Sequence, residues 1–358
     1  MMSPRPISED RGTSHSASFR HTPLQIIHII GNLMRIWSVY SMYHYLSENG
    51  ASVVAFIFSC LVPSSILFLA LQRPWKGRPL ANTQVVPSII NGGITALYFV
   101  MWGKGLRSCG PLRAIMAEYA GAVLGVLSAV LYGRRGNIWK KVGGLIAMMA
   151  SFYFLSQGWA MATYSPFSFK DNIDTEAKAE EVLGMKQMII PIIAGILSAL
   201  RRVIARRVSL KNQLKRRLHA ITITSATCFL FPLAMWDMIL GSASGSSINL
   251  PFSTWAYLST ILFGVVLIFY VDSVAEERLH MVFSSPRHLM VAGGCIIIME
   301  IVYKMDFSLL GFLICSIILG FGIFEATSLE RIRKDSVQPS DIPEGNFENE
   351  MHIPSLPT

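Results

Sequence analysis

Ionisable residues inside long apolar stretches are where this sequence could do chemistry. His28 and Arg35 stand seven apart, so a helix carries them on roughly one face. Glu118 opens one apolar stretch, Asp237 and Asp272 lie near the ends of two others, and Glu300 is late in another. A charge at the centre of a membrane helix costs about 2.5–3.5 kcal/mol on insertion scales, so such residues pair, face a cavity or meet a solute. Arg35 and Glu118 are the leading candidates to line a polar cavity, and His28, Asp272 and Glu300 complete the candidate set. The competing expectation for Arg35 and Glu118 is an internal ion pair. For Asp237, Asp272 and Glu300 it is an end charge that snorkels to the interface, and there it is the stronger expectation.

Other chemistry finds little footing. A transmembrane zinc site needs several donors converging from two helices, commonly a His and an acid one turn apart. Of the eight His, only His44 has an acid four residues on, Glu48, and that pair sits at the end of its apolar segment. No His-rich tract occurs. Cys60, Cys109, Cys228, Cys295 and Cys315 form no C-x-x-C pair and read as small buried apolar residues. No phosphate-binding glycine loop, nucleophile elbow or H-E-x-x-H motif is present. The sequence therefore predicts neither an enzyme nor a resident metal or cofactor.

The elements that must position these residues follow from composition. The chain has 358 residues, 52% hydrophobic and 15% charged, where a soluble domain carries roughly 25% charged. With a mean hydropathy of +0.46, most of it must use lipid as solvent. Ten apolar segments are expected at 24–45, 51–71, 84–103, 112–132, 141–162, 187–205, 217–239, 253–274, 286–303 and 307–326. Helices are expected rather than barrel strands, because runs such as Gly121 to Leu131 are apolar on both parities.

With a cytosolic amino terminus, about three quarters of the 31 Lys and Arg fall on the cytosolic side, including eight between Arg201 and Arg217. Both termini are then cytosolic. The net charge of +9 records this bias, and no nucleic-acid partner is needed to explain it. The expected fold class is an all-α integral membrane protein of about ten transmembrane helices. Its parts are a polar tail (1–23), a five-helix half (24–163), an acidic lumenal loop (164–186), a second five-helix half (187–327) and a disordered cytosolic tail (328–358). An odd helix number per half sets up an inverted repeat. Asn32-Leu-Met-Arg-Ile in the first helix is echoed by Ser198-Ala-Leu-Arg-Arg in the sixth, and the hairpins Glu118–Leu155 and Arg287–Phe324 match in outline.

Three motifs carry a resemblance. Ser108-Cys-Gly-Pro-Leu-Arg113 followed by Glu118, then Ala199-Leu-Arg-Arg-Val-Ile-Ala-Arg-Arg-Val-Ser209, then Phe269-Tyr-Val-Asp-Ser273 occur in order. Together they resemble the amino-terminal extension of zinc transporters of the zinc transporter 5 and plant metal tolerance protein 12 type, within the cation diffusion facilitator family. The resemblance spans about residues 24–327. It implies a Golgi or early secretory membrane, a second facilitator subunit as partner, and zinc as the ion moved. The family's six-helix exchange module with its His and Asp ligands is not within these residues. The resemblance therefore implies a supporting role in assembly or modulation rather than a zinc site here. The layout of two five-helix halves also resembles the drug/metabolite transporter superfamily, which includes nucleotide-sugar carriers. That resemblance implies the alternative, an independent carrier of a small anionic solute such as a nucleotide sugar.

Overall fold

The computed structural model describes residues 22–50, 52–76, 79–131, 138–163, 166, 184–208, 212–241, 250–271 and 285–336. All regular structure among them is helical. α1 spans Thr22–Asn49, α2 Val53–Gln72 and α3 Asn82–Cys109. α4, Pro111–Ala117, continues through one 3-10 turn at Glu118–Gly121 into α5, Ala122–Leu131. α6 covers Ile138–Ser156, α7 Gly184–Val208 and α8 Asn212–Gly241. α9, Leu250–Ser259, passes directly into a π-helix at Thr260–Leu267. α10 is Pro286–Val302 and α11 is Leu309–Ser336.

Six stretches are long and apolar enough to cross a membrane: Val53–Gln72, Asn82–Cys109, Gly184–Val208, Lys215–Asp237, Thr254–Val271 and Leu309–Ala326. The four other expected segments fall on α1, the α4–α5 pair, α6 and α10. The helices are apolar on both sides. On α2, Phe56 and Phe68 are buried while Ile66 and Leu71 are exposed; on α8, Leu230 is buried while Phe229, Phe231 and Trp236 are exposed. A helix that is apolar all round belongs in a large core or in lipid. Here the outward side chains meet no protein, so the bilayer is their solvent. The chain is an α-helical, multi-pass integral membrane protein.

Packing runs mainly between the sequence halves 24–163 and 187–327. α3 packs on α7 and α8, α2 on α8, and α6 on α11. These contacts repeat with the halves exchanged: α9 and the π-helix pack on α1 as α3 packs on α7, and α10 packs on α1 as α4 and the 3-10 turn pack on α7. The helix ends gather accordingly. Gly105 sits against Pro191 and Arg201 against Tyr98, so α3 and α7 are antiparallel. Thr222 donates to the Ser88 carbonyl at 3.3 Å and Gly93 lies beside Phe229, so α3 and α8 are parallel. The start of α3, the end of α7 and the start of α8 therefore share one end of the bundle. This end carries Arg73, Lys76, Arg206, Arg207, Lys215 and Arg216. Arg217 ties it together by donating to the Pro74 carbonyl. At the other end Ser52, ahead of α2, donates to Asp237 on α8.

Several expectations need correction. Between the expected segments 187–205 and 217–239 the basic stretch is helical over its described residues: α7 continues to Val208 and α8 begins at Asn212, because Arg and Lys are good helix formers. The last helix runs to Ser336, so 328–336, expected as the start of a disordered tail, is helical; Leu329, Glu330, Arg331, Arg333 and Lys334 all favour helix. Cys228 is exposed on α8, facing outward with Phe229, while Cys60, Cys109, Cys295 and Cys315 are buried. The tails 1–21 and 337–358, and the acidic stretch 167–183, lie outside the described residues.

Candidate functional site

The site is built around a sharp joint between α3 and α4. α3 stops at Gly110, whose φ of +82° suits glycine because it lacks a Cβ, and Pro111 then supplies the preset φ of a helix start. Two turns later the 3-10 segment Glu118–Gly121 tightens the helix. Gly195 of α7 lets the two backbones meet there, since a Cβ on it would run into the Ala117 carbonyl. The Glu118 side chain is thereby buried, 1% exposed. Arg35 reaches it from α1 and donates Nη2 to Glu118 Oε2. The Tyr98 hydroxyl of α3 stands 3.5 Å from the other carboxylate oxygen. The expected internal Arg–Glu pair is present, and it closes one side of a cavity.

That cavity, about 170 Å³, lies between α1, α3, α7, α8 and the π-helix. Four basic side chains line it: Arg35 from α1, Arg201 and Arg202 from α7, and Lys215 from α8. None of its described lining residues is acidic. The Arg201 guanidinium lies over the Tyr98 ring, 4.7 Å from the centroid, and Arg202 donates to Ser198 Oγ at 2.7 Å. Both arginines thus point back toward mid-helix, as helical side chains do. Nearer the basic end the walls change character. Asn91, 4% exposed, lines the cavity from α3, and its backbone carbonyl oxygen accepts from Thr95 Oγ1 at 2.7 Å. His219 stacks on Phe269 with centroids 3.8 Å apart and planes within 7°, and meets Phe68 edge-on.

A second cavity of about 60 Å³ lies on the other side of Arg35, lined by Val39, Met42, Ile57, Cys60, Leu61 and Trp102. Arg35, Tyr98, Phe99, Gly264 and Val265 border both cavities. One layer at the middle of the bundle separates a basic chamber from an apolar one.

No family model matches the chain. A solved structure described only as a protein crystal structure aligns over 87% of this chain and 99% of its own, with 16% identity and a TM-score of 0.47.

Among the described candidate residues, the structure brings Arg35 and Glu118 together. His28 lies apart with Asn32 on α1 and His288 on α10: Asn32 Nδ2 is 3.1 Å from His28 Nε2, the two imidazoles are 5.4 Å apart, and the Tyr119 hydroxyl is 2.6 Å from His288 Nδ1. Glu300 is buried near the opposite end and accepts from the Tyr40 hydroxyl at 2.5 Å. Asp237 bonds Ser52 near its helix end. Asp272 lies outside the described residues. The pair His44–Glu48 has its N–O distance at 3.2 Å on the exposed end of α1. Among the described residues no three His, Cys, Asp or Glu are grouped as a metal site would require.

The search for charges isolated in apolar stretches passed over Asn91, Tyr98 and His219 as site residues, and read Arg201 only as a repeat of Arg35 and as part of the basic run. A polar residue at membrane depth was the available signal for Asn91, since it interrupts Val85–Phe99 as Arg35 interrupts α1. The motif residues are accounted for by this architecture. Ser108–Arg113 forms the α3–α4 joint, Ala199–Val208 carries the two cavity arginines, and Phe269 is a cavity wall.

Proposed function

We propose that the chain is a carrier-type membrane protein whose basic cavity binds a small anionic solute. The observation that carries this reading is the convergence of Arg35, Arg201, Arg202 and Lys215 on one cavity with no acid among its described lining residues. Positive charge concentrated at membrane depth is costly, and an anionic solute entering the cavity offsets it. Two further features support transport. The repeated packing pattern fits an inverted repeat of five plus five helices, with Arg35 and Arg201 in matching positions of the two halves. The mid-bundle layer between two chambers fits a site reached alternately from either side. On this reading there are about ten spans, both termini and the basic end are cytosolic, and the chain is not an enzyme.

The resemblance to zinc-transporter extensions joins this reading because its motif residues build the cavity. The carrier-like bundle then serves a Golgi or early secretory membrane beside a cation diffusion facilitator subunit. There it supports zinc delivery by assembly or modulation rather than through a zinc site of its own.

Reconstitution of the full chain in vesicles tests the proposal. Counterflow of labelled organic phosphates is expected, falling at least tenfold in Arg201→Gln. Zinc uptake by the chain alone, with no exchange of any anion, overturns it.

A further inference from the structure

Three exposed cations at the basic end make no ion pair with any described acid: Arg73 and Lys76, in the turn after α2, and Arg216 on α8. The backbone and their neighbours hold them together. Arg73 caps α2 in the left-handed conformation, φ +39°, with its N–H on the Leu69 carbonyl at 2.9 Å. The Lys76 N–H then returns to the Arg73 carbonyl at 2.8 Å, and Arg217 ties the turn to α8 through Pro74. The Arg216 guanidinium lies 5.8 Å from the centroid of the Tyr270 ring, whose hydroxyl accepts from Gln72 Nε2 at 2.6 Å. The cations therefore form one patch where α2, α8 and the residues following the π-helix meet.

The patch has an apolar approach. Pro63, Ile66, Ala70 and Arg73 follow one another at helical spacing and are all exposed, so one outward stripe of α2 ends at the cations. Arg73 Nε donates back to the Ala70 carbonyl at 3.4 Å, at the end of that stripe. From residue 63 to residue 73 a helix rises about 15 Å, half of a hydrocarbon core of about 30 Å and so the depth of one leaflet. Trp75, 67% exposed, stands beside the cations, and tryptophan favours headgroup level.

We propose that this cleft binds an anionic phospholipid of the leaflet at the basic end, its phosphate against Arg73, Lys76 and Arg216 and one acyl chain along Pro63–Ala70. A soluble phosphate would meet the cations and leave the stripe unused. A zwitterionic lipid would fit the stripe but bring positive charge of its own to three cations. Each Lys or Arg near an anionic surface is worth roughly fivefold in affinity. The site is separate from the solute cavity, which none of the three cations lines. It adjoins the cavity wall all the same, because Tyr270 follows Phe269, the ring stacked on His219.

Native mass spectrometry of the delipidated full chain in detergent tests this with phosphatidylserine, phosphatidylcholine of the same acyl chains, and water-soluble glycerophosphoserine. The first phosphatidylserine should bind at least tenfold more tightly than the first phosphatidylcholine. Replacing Arg73, Lys76 and Arg216 together by Gln should cut that preference to less than threefold, while Arg73→Lys with Arg216→Lys, which keeps the charge, should retain at least half of it. Arg206→Gln with Arg207→Gln, exposed cations at the same end but on α7, should leave it within twofold. Ala70→Trp, which fills the stripe, should weaken both lipids. Equal binding of the two lipids overturns the proposal. So does an equal loss in the Arg206 and Arg207 variant, which would mark a general surface field. Displacement of phosphatidylserine by an equal concentration of glycerophosphoserine would mark a site for soluble anions and overturn it too.

Discussion

Neutralising the Arg35–Glu118 pair one member at a time, and then together, gives a sharp test of the bundle's centre. Arg35→Gln leaves a carboxylate that is 1% exposed, with the Tyr98 hydroxyl 3.5 Å away as its remaining hydrogen-bonding neighbour. Glu118→Gln leaves a guanidinium that is 12% exposed and faces the cavity. Breaking a buried pair costs about 3–5 kcal/mol, since it strands a charge. Arg35→Gln should fall at the upper end of that range, because Glu118 has no route to solvent. Glu118→Gln should fall at or below the lower end, because Arg35 already borders the basic chamber. The double variant strands no charge, and its two amides can still bond each other, so it should cost less than either single change. The coupling, the sum of the two single costs less that of the double, then exceeds the larger single cost, roughly 5 kcal/mol, against an average of about 0.6 kcal/mol for polar contacts between membrane helices. Reversible unfolding in mixed micelles, read by tryptophan fluorescence and by a proteolysis probe, measures all four species. Additivity within about 0.5 kcal/mol would refute the pair as a buried ion pair.

Two further outcomes are expected. Gly195→Ala forces a Cβ into the Ala117 carbonyl and should destabilise by about 1–3 kcal/mol, whereas Gly125→Ala meets nothing within 4 Å and should be neutral or stabilise by up to about 1 kcal/mol; equal effects in the same unfolding assay would contradict the close α4–α7 approach. For orientation, an impermeant maleimide applied from the lumenal side should label Asp174→Cys and not Lys211→Cys, in a background where the exposed Cys228 is replaced by Ser; the reverse pattern overturns the cytosolic assignment of the basic end.

The helical membrane class was legible because lipid imposes length and apolarity on each segment, and those are properties of a single stretch of chain. Arg35 and Glu118 were legible as a pair for the same reason: each is an isolated charge in an apolar run, and the cost of burial implies a partner. The role of Arg201 and Arg202 was hidden. On the page they fall inside the segment 187–205 but also open a run of eight basic residues, and only the packing of α7 on α3 and α8 turns them into cavity walls. The His28–His288 contact joins α1 to α10 across 260 positions, a distance no local pattern encodes. The 3-10 turn at Glu118 depends on the backbone of α7 arriving at Gly195, a contact between halves that periodicity does not carry.

The π-helix at Thr260–Leu267 changes the register of one wall. Such a stretch accommodates a surplus residue relative to its α-helical flanks. Gly264 and Val265, which border both chambers, lie inside that interval, and the interval packs on α1 and α2. The partition between the two chambers is therefore drawn where this helix falls out of step with the turns on either side of it.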